Sequence, residues 1–500
     1  MTAKPDHLFD RVAEWGALVA FASRPTQTAQ LGIVSGRRRM GKTYLLRALA
    51  ERVGGFYFGA TTATAGESLR QFGAALAEFT GAEVPIVFDS WDHAVTYLFG
   101  LAARERADKP LLLVIDEFSY LVKAVPELPS LVQREIDRYQ VEPSGARLLV
   151  CGSAMSVMGG LLASNAPLRG RAQIEMVVRP FGYRDAAAFW GVDTDPALAM
   201  RLHAVLGGTP AYRRQFLADD VPLSLNDFDQ WLSRTVLSPL SPLFREARYL
   251  LAEEAEIRDT ALYHSVLAAV AQGNNTRGGI AGYIGRKAVD ISHPLAVLED
   301  CHLLTRERDV FRAGKSVYRM TEPLINFYEA VMRPSWARLE SGQAQQVWAR
   351  SKERFAAQVA GPHFEAICRE FMLGDGIEML GPDAGFGEIG CGIVTDSTAR
   401  KQIQIDVAVV QPGGGGHKSA VSMIGEAKWG VTMGLNHLDR LVRARELLAG
   451  SGVDASNCRL ACFSGVGFSD ALRERADRDS NVLLLGLAQL YGHHAIGNRG

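Results

Sequence analysis

The sequence predicts an α/β protein: a parallel sheet covered by helices on both faces in its N-terminal part, and a second α/β domain at its C-terminus. Three observations carry this. Apolar runs of strand length alternate with helical stretches from Leu31 to Gly152. The stretch Gly36-Arg37-Arg38-Arg39-Met40-Gly41-Lys42-Thr43 matches G-x-x-x-x-G-K-[ST] at every fixed position, between such a strand and a helix. Beyond residue 400, Lys401–Val410 and Ala420–Trp429 read as paired strands by alternation and β-branching.

The elements follow in order. Leu31–Val34 is a buried strand, and Tyr44–Ala50 belongs to the helix after the glycine-rich loop. Backbone N–H groups of such a loop, at a helix N-terminus, form a concave anion site. Gly36, Arg37, Arg38, Arg39, Met40, Gly41, Lys42, Thr43 and Tyr44 are therefore the candidate nucleotide-binding residues. Lys42 would reach the β- and γ-phosphates of ATP and the Thr43 hydroxyl would ligate Mg²⁺. A strand near Phe56–Phe58 and helices near Glu67–Phe79 and Trp91–Arg106 continue the β/α order. Leu111–Ile115 is apolar throughout, as suits a parallel strand buried on both faces, and ends in Asp116-Glu117. Carboxylates there stand at the carboxyl edge, where α/β sheets bind ligands. Asp116 is the candidate metal-holding aspartate and Glu117 the candidate general base. The strand Arg147–Gly152 ends at Ser153, a candidate sensor of the γ-phosphate. Right-handed crossovers make the sheet parallel.

From Asp259 to Pro323 the pattern is helix, turn, helix, turn, helix, hairpin, the order of a winged helix-turn-helix. Its helices are Thr260–Gln272, Gly279–Ile284 and Ser292–Leu304, with Thr305–Val310 and Ser316–Met320 as the wing. The third helix exposes His293, Glu299, Asp300 and His302, and carboxylates repel phosphates at close range. Arg306, Arg308, Arg312, Lys315 and Arg319 keep backbone contact open, but an intramolecular role is favoured.

Residues 336–350 form a linker with helical character. Pro362–Phe371 then reads as an amphipathic helix, with the glycine-rich Pro412–Gly416 between the two later strands. Glu426 and Lys428, two apart, emerge on one face of their strand, and an antiparallel partner can bring Asp406 alongside. Asp406, Glu426 and the Ala427 carbonyl would hold Mg²⁺, and Lys428 would activate water for phosphodiester hydrolysis. An exposed, salt-bridged strand face is the plain alternative. His437–Ala449, Arg459–Ser464 and Asn481–Leu487 complete the domain.

The order Gly36–Thr43, Asp116-Glu117-Phe118, Cys151-Gly152-Ser153, Pro167-Leu168-Arg169-Gly170-Arg171 and Gly207-Gly208-Thr209-Pro210-Ala211-Tyr212 resembles the archaeal-type ATPases, P-loop proteins of the AAA/STAND group. The resemblance implies a helical lid over residues 181–245 that ATP draws toward the core, Pro210 near the adenine, and Arg171 as the arginine finger, with Arg169 as the alternative. A solvated loop competes for both arginines. It also implies a C-terminal domain similar to PD-(D/E)XK nucleases of the restriction-endonuclease fold, with Glu365 as the helix-borne acid. The expected organisation is a P-loop core at 1–180, a lid at 181–245, a winged helix at 246–335, a linker at 336–350 and the nuclease-like domain at 351–500.

Composition sets the outer bounds. The 500 residues suit about three domains. A 47% hydrophobic, 22% charged chain of net charge −1 is that of a globular protein, and any basic surface for DNA must be local. The six dispersed cysteines have no zinc spacing and read as buried apolar residues of a reducing compartment. No apolar run spans a bilayer and the acidic N-terminus does not suit a signal peptide, so a cytoplasmic protein without membrane contact is expected.

The function expected is a Mg²⁺-dependent ATP-hydrolysing switch coupled to a DNA-binding or nuclease-like domain, with weak, salt-sensitive DNA affinity. An ATP-licensed DNA endonuclease and a non-catalytic ATP-regulated DNA- or protein-binding regulator are the alternatives. A homo-oligomer or a protein partner is left open.

Overall fold

The computed structural model describes residues 3–104, 110–163, 165–252, 259–381, 384, 387–411 and 419–492. The glycine-rich Pro412–Gly416 and Arg106 lie outside them. The chain forms two compact units, one built on residues up to Pro180 and one on residues from Phe181 onward; Thr209–Ala211 and a segment beginning at Leu251 cluster with the first. The segments expected as lid, winged helix, linker and C-terminal domain thus fall largely in the second unit.

The first unit is an α/β layer structure. Its strands are β1 Gln30–Ser35, β2 Phe56–Gly59, β3 Leu111–Asp116, β4 Ala146–Gly152 and β5 Ala172–Val177. They pair in parallel in the order β2-β3-β4-β1-β5. In the central strands β1, β3 and β4 side chains alternate between two buried faces, which is why they read as largely apolar runs. Leu31, Ile33, Leu113, Ile115, Leu148 and Val150 belong to one core with helices Ala65–Thr80, Trp91–Ala103 and Leu128–Arg138. Val34, Leu112, Val114, Leu149 and Cys151 belong to the other, with helices Val12–Ser23 and Lys42–Val53. Because β4 lies between β1 and β3, their three carboxyl ends meet at one edge.

In the second unit, helices Thr260–Ala271, Arg277–Ile284 and Ser292–Asp300 precede an antiparallel hairpin, β6 Leu304–Arg308 and β7 Ser316–Met320. The third helix stops four residues short of the expected Leu304. His302 takes a left-handed backbone (φ 53°), and Leu304 already pairs with Met320. A mixed five-stranded sheet follows, in the order β12-β11-β10-β9-β8, with β8 Glu388–Asp396, β9 Lys401–Gln411, β10 Ala420–Lys428, β11 Arg459–Ser464 and β12 Val482–Gly486. β8, β9 and β10 pair antiparallel, and β10, β11 and β12 pair parallel. Helix Leu435–Gly450 packs on the Ile405, Ile424 and Cys462 face. Helix Gly361–Leu373 contacts β8, β9 and β10.

The hairpin's far end does not stand free. Val310 N–H donates to the Cys391 carbonyl of edge strand β8 (3.1 Å), and Ile393 N–H donates to Asp309 Oδ2 (3.2 Å). Gly390 and Gly392 make room for this seat: a Cβ at either would stand 2.6 Å from Val310 or Phe311. All six cysteines are free and buried. No helix among the described residues is long and apolar enough to cross a membrane.

Candidate nucleotide site and a second acid cluster

β1 hands the chain to the loop Gly36–Gly41, and Gly41 is the N-cap of helix Lys42–Val53. Gly36 has φ 145°, and a Cβ there would lie 2.5 Å from the Val178 carbonyl oxygen, so only glycine fits. Arg39 and Gly41 also have positive φ (72° and 84°), folding the loop back over the helix N-terminus. Lys42 is 5% exposed, and its Nζ donates to the Gly36 and Arg37 carbonyls at 2.6 and 2.8 Å. Burial lowers its pKa, against the raising charges of Cys151, Glu117 and Asp116. An ammonium has three donors, so one remains beyond these two carbonyls.

Asp116, 2% exposed, is held from three sides. Its Oδ2 accepts from Thr43 Oγ1 (2.7 Å) and Tyr57 OH (2.8 Å), and its Oδ1 from the Glu117 N–H (2.8 Å). Burial and the Asp116 charge push the Tyr57 phenol above its ordinary range. The Thr43 and Asp116 oxygens form a hard-donor pair that suits Mg²⁺. Glu117 adopts a left-handed backbone (φ 52°), and its Oε2 accepts from Ser153 Oγ at 3.0 Å. The expected γ-phosphate sensor is thus bonded to the expected base.

Around the loop, Arg38 bonds the Tyr120 hydroxyl and lies 6.0 Å from its ring centroid. Arg37 is buried. Arg11 braces the loop by donating to the Met40 carbonyl (3.3 Å) and the Arg179 carbonyl (2.7 Å). Tyr44 is half-exposed, edge-on to His7 with centroids 5.3 Å apart. Pro210 belongs to the Thr209–Ala211 segment of the first unit. Sequence reasoning missed Arg11, Tyr57 and Tyr120. Tyr57 left the one trace, a hydroxyl inside an otherwise apolar strand beside the Asp116 strand.

Arg171 is not at this edge. It precedes β5, whose Ala172 pairs with Leu31 near the start of β1, so it lies at the amino edge, about 16 Å of strand from the phosphate loop. There Nε and Nη2 bond Asp137 at 2.6 and 2.8 Å, which lowers the Asp137 pKa. The expectation of an arginine finger within the chain is corrected for Arg171. Arg169, whose carbonyl accepts from Arg171 (3.3 Å), shares that edge.

The C-terminal candidates do converge. Gly425 pairs with Val407, setting Glu426 beside Asp406. Lys428 Nζ lies 3.1 Å from Glu426 Oε1 and 3.6 Å from Asp406 Oδ2. Both acids are buried, at 1% and 2% exposure. Asp406 also accepts from Gln404 Nε2 (2.9 Å) and the Ala427 N–H (3.0 Å), and Glu426 from Arg440 (2.8 Å). Burial opposes the Lys428 charge, but Asp406 and Glu426 outweigh it and raise the pKa. Glu365 is pushed up to about 7 by burial and by Asp406. Among the described residues no three His, Cys, Asp or Glu side chains converge as a ready metal centre. The two strand acids and Lys428 carry one net negative charge, which the Arg440 contact with Glu426 offsets.

The hairpin cations that keep DNA-backbone contact open are partly engaged. Arg319 bonds Glu307 (2.5 Å) and Arg312 bonds Asp309 (2.7 Å), while Arg306, Arg308 and Lys315 are exposed. The third helix exposes His293, Ala296 and Asp300, with Glu299 half-buried.

Residues 8–191 match the family described as an ATPase domain predominantly from Archaea, a match that lies largely on the first unit. The chain is 26% identical over 352 residues to an uncharacterized protein of Methanocaldococcus jannaschii, covering 68% of this chain and 72% of that one. That alignment runs well beyond the ATPase domain. A Walker-type ATPase of Pyrococcus abyssi shares the fold at 18% identity and TM-score 0.50, over 65% of this chain and 97% of its own. The ORC2 protein of Aeropyrum pernix is a weaker match, at 12% identity and TM-score 0.44, over 70% of this chain and 97% of its own.

Proposed function

We propose that this chain is a Mg²⁺-dependent ATP-hydrolysing switch whose nucleotide state governs a C-terminal unit that handles DNA. One observation carries the reading: Lys42, Thr43, Asp116, Glu117 and Ser153 gather at one edge of a parallel sheet within an ATPase-family domain. The loop N–H groups and Lys42 bind the phosphates, Lys42 exchanging its two carbonyls for phosphate oxygens. Thr43 and Asp116 would hold Mg²⁺, which would supply charge neutralisation for the transferred phosphoryl group. Tyr57 fixes the Asp116 carboxylate in place. Glu117 takes the proton of the attacking water, and Ser153 orients it. The residues near Pro210 complete the adenine end, and segment 181–245 acts as the lid.

In the second unit Asp406, Glu426 and Lys428 are read as a Mg²⁺ and phosphodiester site of PD-(D/E)XK type, and the hairpin of the winged helix acts inside the molecule. The convergence of all three on one strand pair supports the ATP-licensed endonuclease as the second reading. Calorimetric titration of the full chain with ATP and Mg²⁺ tests the first. Lys42→Ala should weaken binding about 100-fold or more, as a charge-assisted phosphate contact of about 3 kcal/mol is lost. Unchanged affinity would overturn the assignment.

A further inference from the structure

The acid cluster of the second unit includes a side chain from outside its sheet. Arg319, on hairpin strand β7, reaches Glu365 of helix Gly361–Leu373 at 3.4 Å and Glu307 of β6 at 2.5 Å. Glu307 is shared with Arg369 (3.4 Å), which donates to the Asp406 main-chain carbonyl at 2.9 Å. The hairpin's ion pairs therefore reach the acid site through one main-chain hydrogen bond, and their members are mostly enclosed: Arg319 is 16%, Glu365 17% and Arg369 8% exposed at the side chain. Asp406 and Glu426 share Lys428, and Glu426 also pairs with Arg440, whereas the ion pair of Glu365 is made by Arg319 of the hairpin, with Arg369 and Lys428 further positive neighbours.

We propose that Arg319 is a positioning residue of the C-terminal acid site: seated, the hairpin holds Glu365 on Arg319, and lifting it frees Glu365 to join Asp406 and Glu426 around a divalent cation. This rests on the reading of Asp406 and Glu426 as a metal site, and it adds which part of the chain controls that site. The seat is reversible in kind. It consists of a two-residue edge pairing at Asp309 and Val310, the fit of Val310 and Phe311 over Gly390 and Gly392, and ion pairs that a cation can replace. Arg319 and the cation compete for one carboxylate, so each weakens the other by the same factor.

The test uses the full chain without nucleotide and Mn²⁺ as the probe. Calorimetry should find an Mn²⁺ site that disappears in Asp406→Ala. Arg319→Gln should tighten that site about 5- to 100-fold, the range of ordinary couplings between sites. Arg319→Lys should stay near the parent value. Glu307→Gln, which leaves Arg319 more fully to Glu365, should weaken the site. In the parent protein, Mn²⁺ should speed hydrogen exchange of the β6 and β7 amides, an effect that loss of a charge alone would not produce. If Asp406-dependent binding is present but neither Arg319→Gln nor Glu307→Gln shifts it, and hairpin exchange ignores Mn²⁺, the positioning role is wrong and the metal site stands. If no Asp406-dependent binding exists in any of these proteins, the metal site falls and the positioning role with it.

Discussion

Glu117 and Ser153 are bonded to each other at the carboxyl edge of the first sheet. A glutamate in a left-handed backbone is strained by about 1 kcal/mol, and its carboxylate is steadied by one hydroxyl at 3.0 Å. Ser153→Ala should therefore lower kcat about tenfold, for one hydrogen bond to a charged group, and leave ATP affinity unchanged. Steady-state phosphate release beside an ATP titration separates the two effects; equal losses in both would make Ser153 a phosphate ligand instead. The meeting of Lys42, Thr43, Asp116 and Glu117 at one edge was legible because the loop pattern and the acid-ended apolar strand set residue types at fixed spacing. Arg11 and Tyr57 were not, because their partners are a loop carbonyl and a carboxylate 59 residues away. Arg171 shows the opposite error: its motif is visible in sequence, but its edge of the sheet is set by the register of β5 on β1.

Among the elements, the strands buried on both faces could be read from their apolar runs. β5 was missed because it alternates between half-buried and exposed positions at the sheet's edge. β8 was missed because its glycines suppress the strand signal, and the structure shows what they are for: they admit the hairpin. A second link within this unit joins helix Pro196–Leu206 to helix Gly361–Leu373, where His203 Nδ1 and His363 Nε2 are 2.8 Å apart. Such a contact needs one ring nitrogen unprotonated. Burial lowers the His203 pKa from 6.5 to about 4, and lowers that of His363 as well. A base with a lowered folded pKa adds stability above its unfolded value and loses it as pH falls toward the folded one. Denaturant midpoints should accordingly drop between pH 6.5 and about 4, and His203→Gln should flatten that dependence. An equal slope in the variant would place the acid lability elsewhere.

At the scale of the whole molecule, the net charge of −1 leaves DNA affinity to local cations. With Arg312 and Arg319 engaged, the hairpin offers only Arg306, Arg308 and Lys315, beside an acidic third helix. Binding should be weak, fall steeply with salt, and depend more on Lys428 than on the hairpin. Fluorescence titration of labelled DNA across a salt series, with and without ATP, checks this. Loss of all binding in Arg306→Ala with Arg308→Ala, and none in Lys428→Ala, would return the DNA-binding role to the hairpin.

On the proposed function, Glu117 activates water on ATP held by Lys42, Thr43 and Asp116. Phosphate release from the full chain at saturating ATP and Mg²⁺, compared between the parent and Glu117→Gln, tests this. Turnover is expected in the parent, with a loss of about 10²- to 10⁴-fold in the variant and ATP still bound as tightly. A Glu117→Gln protein that hydrolyses ATP at the parent rate would contradict it.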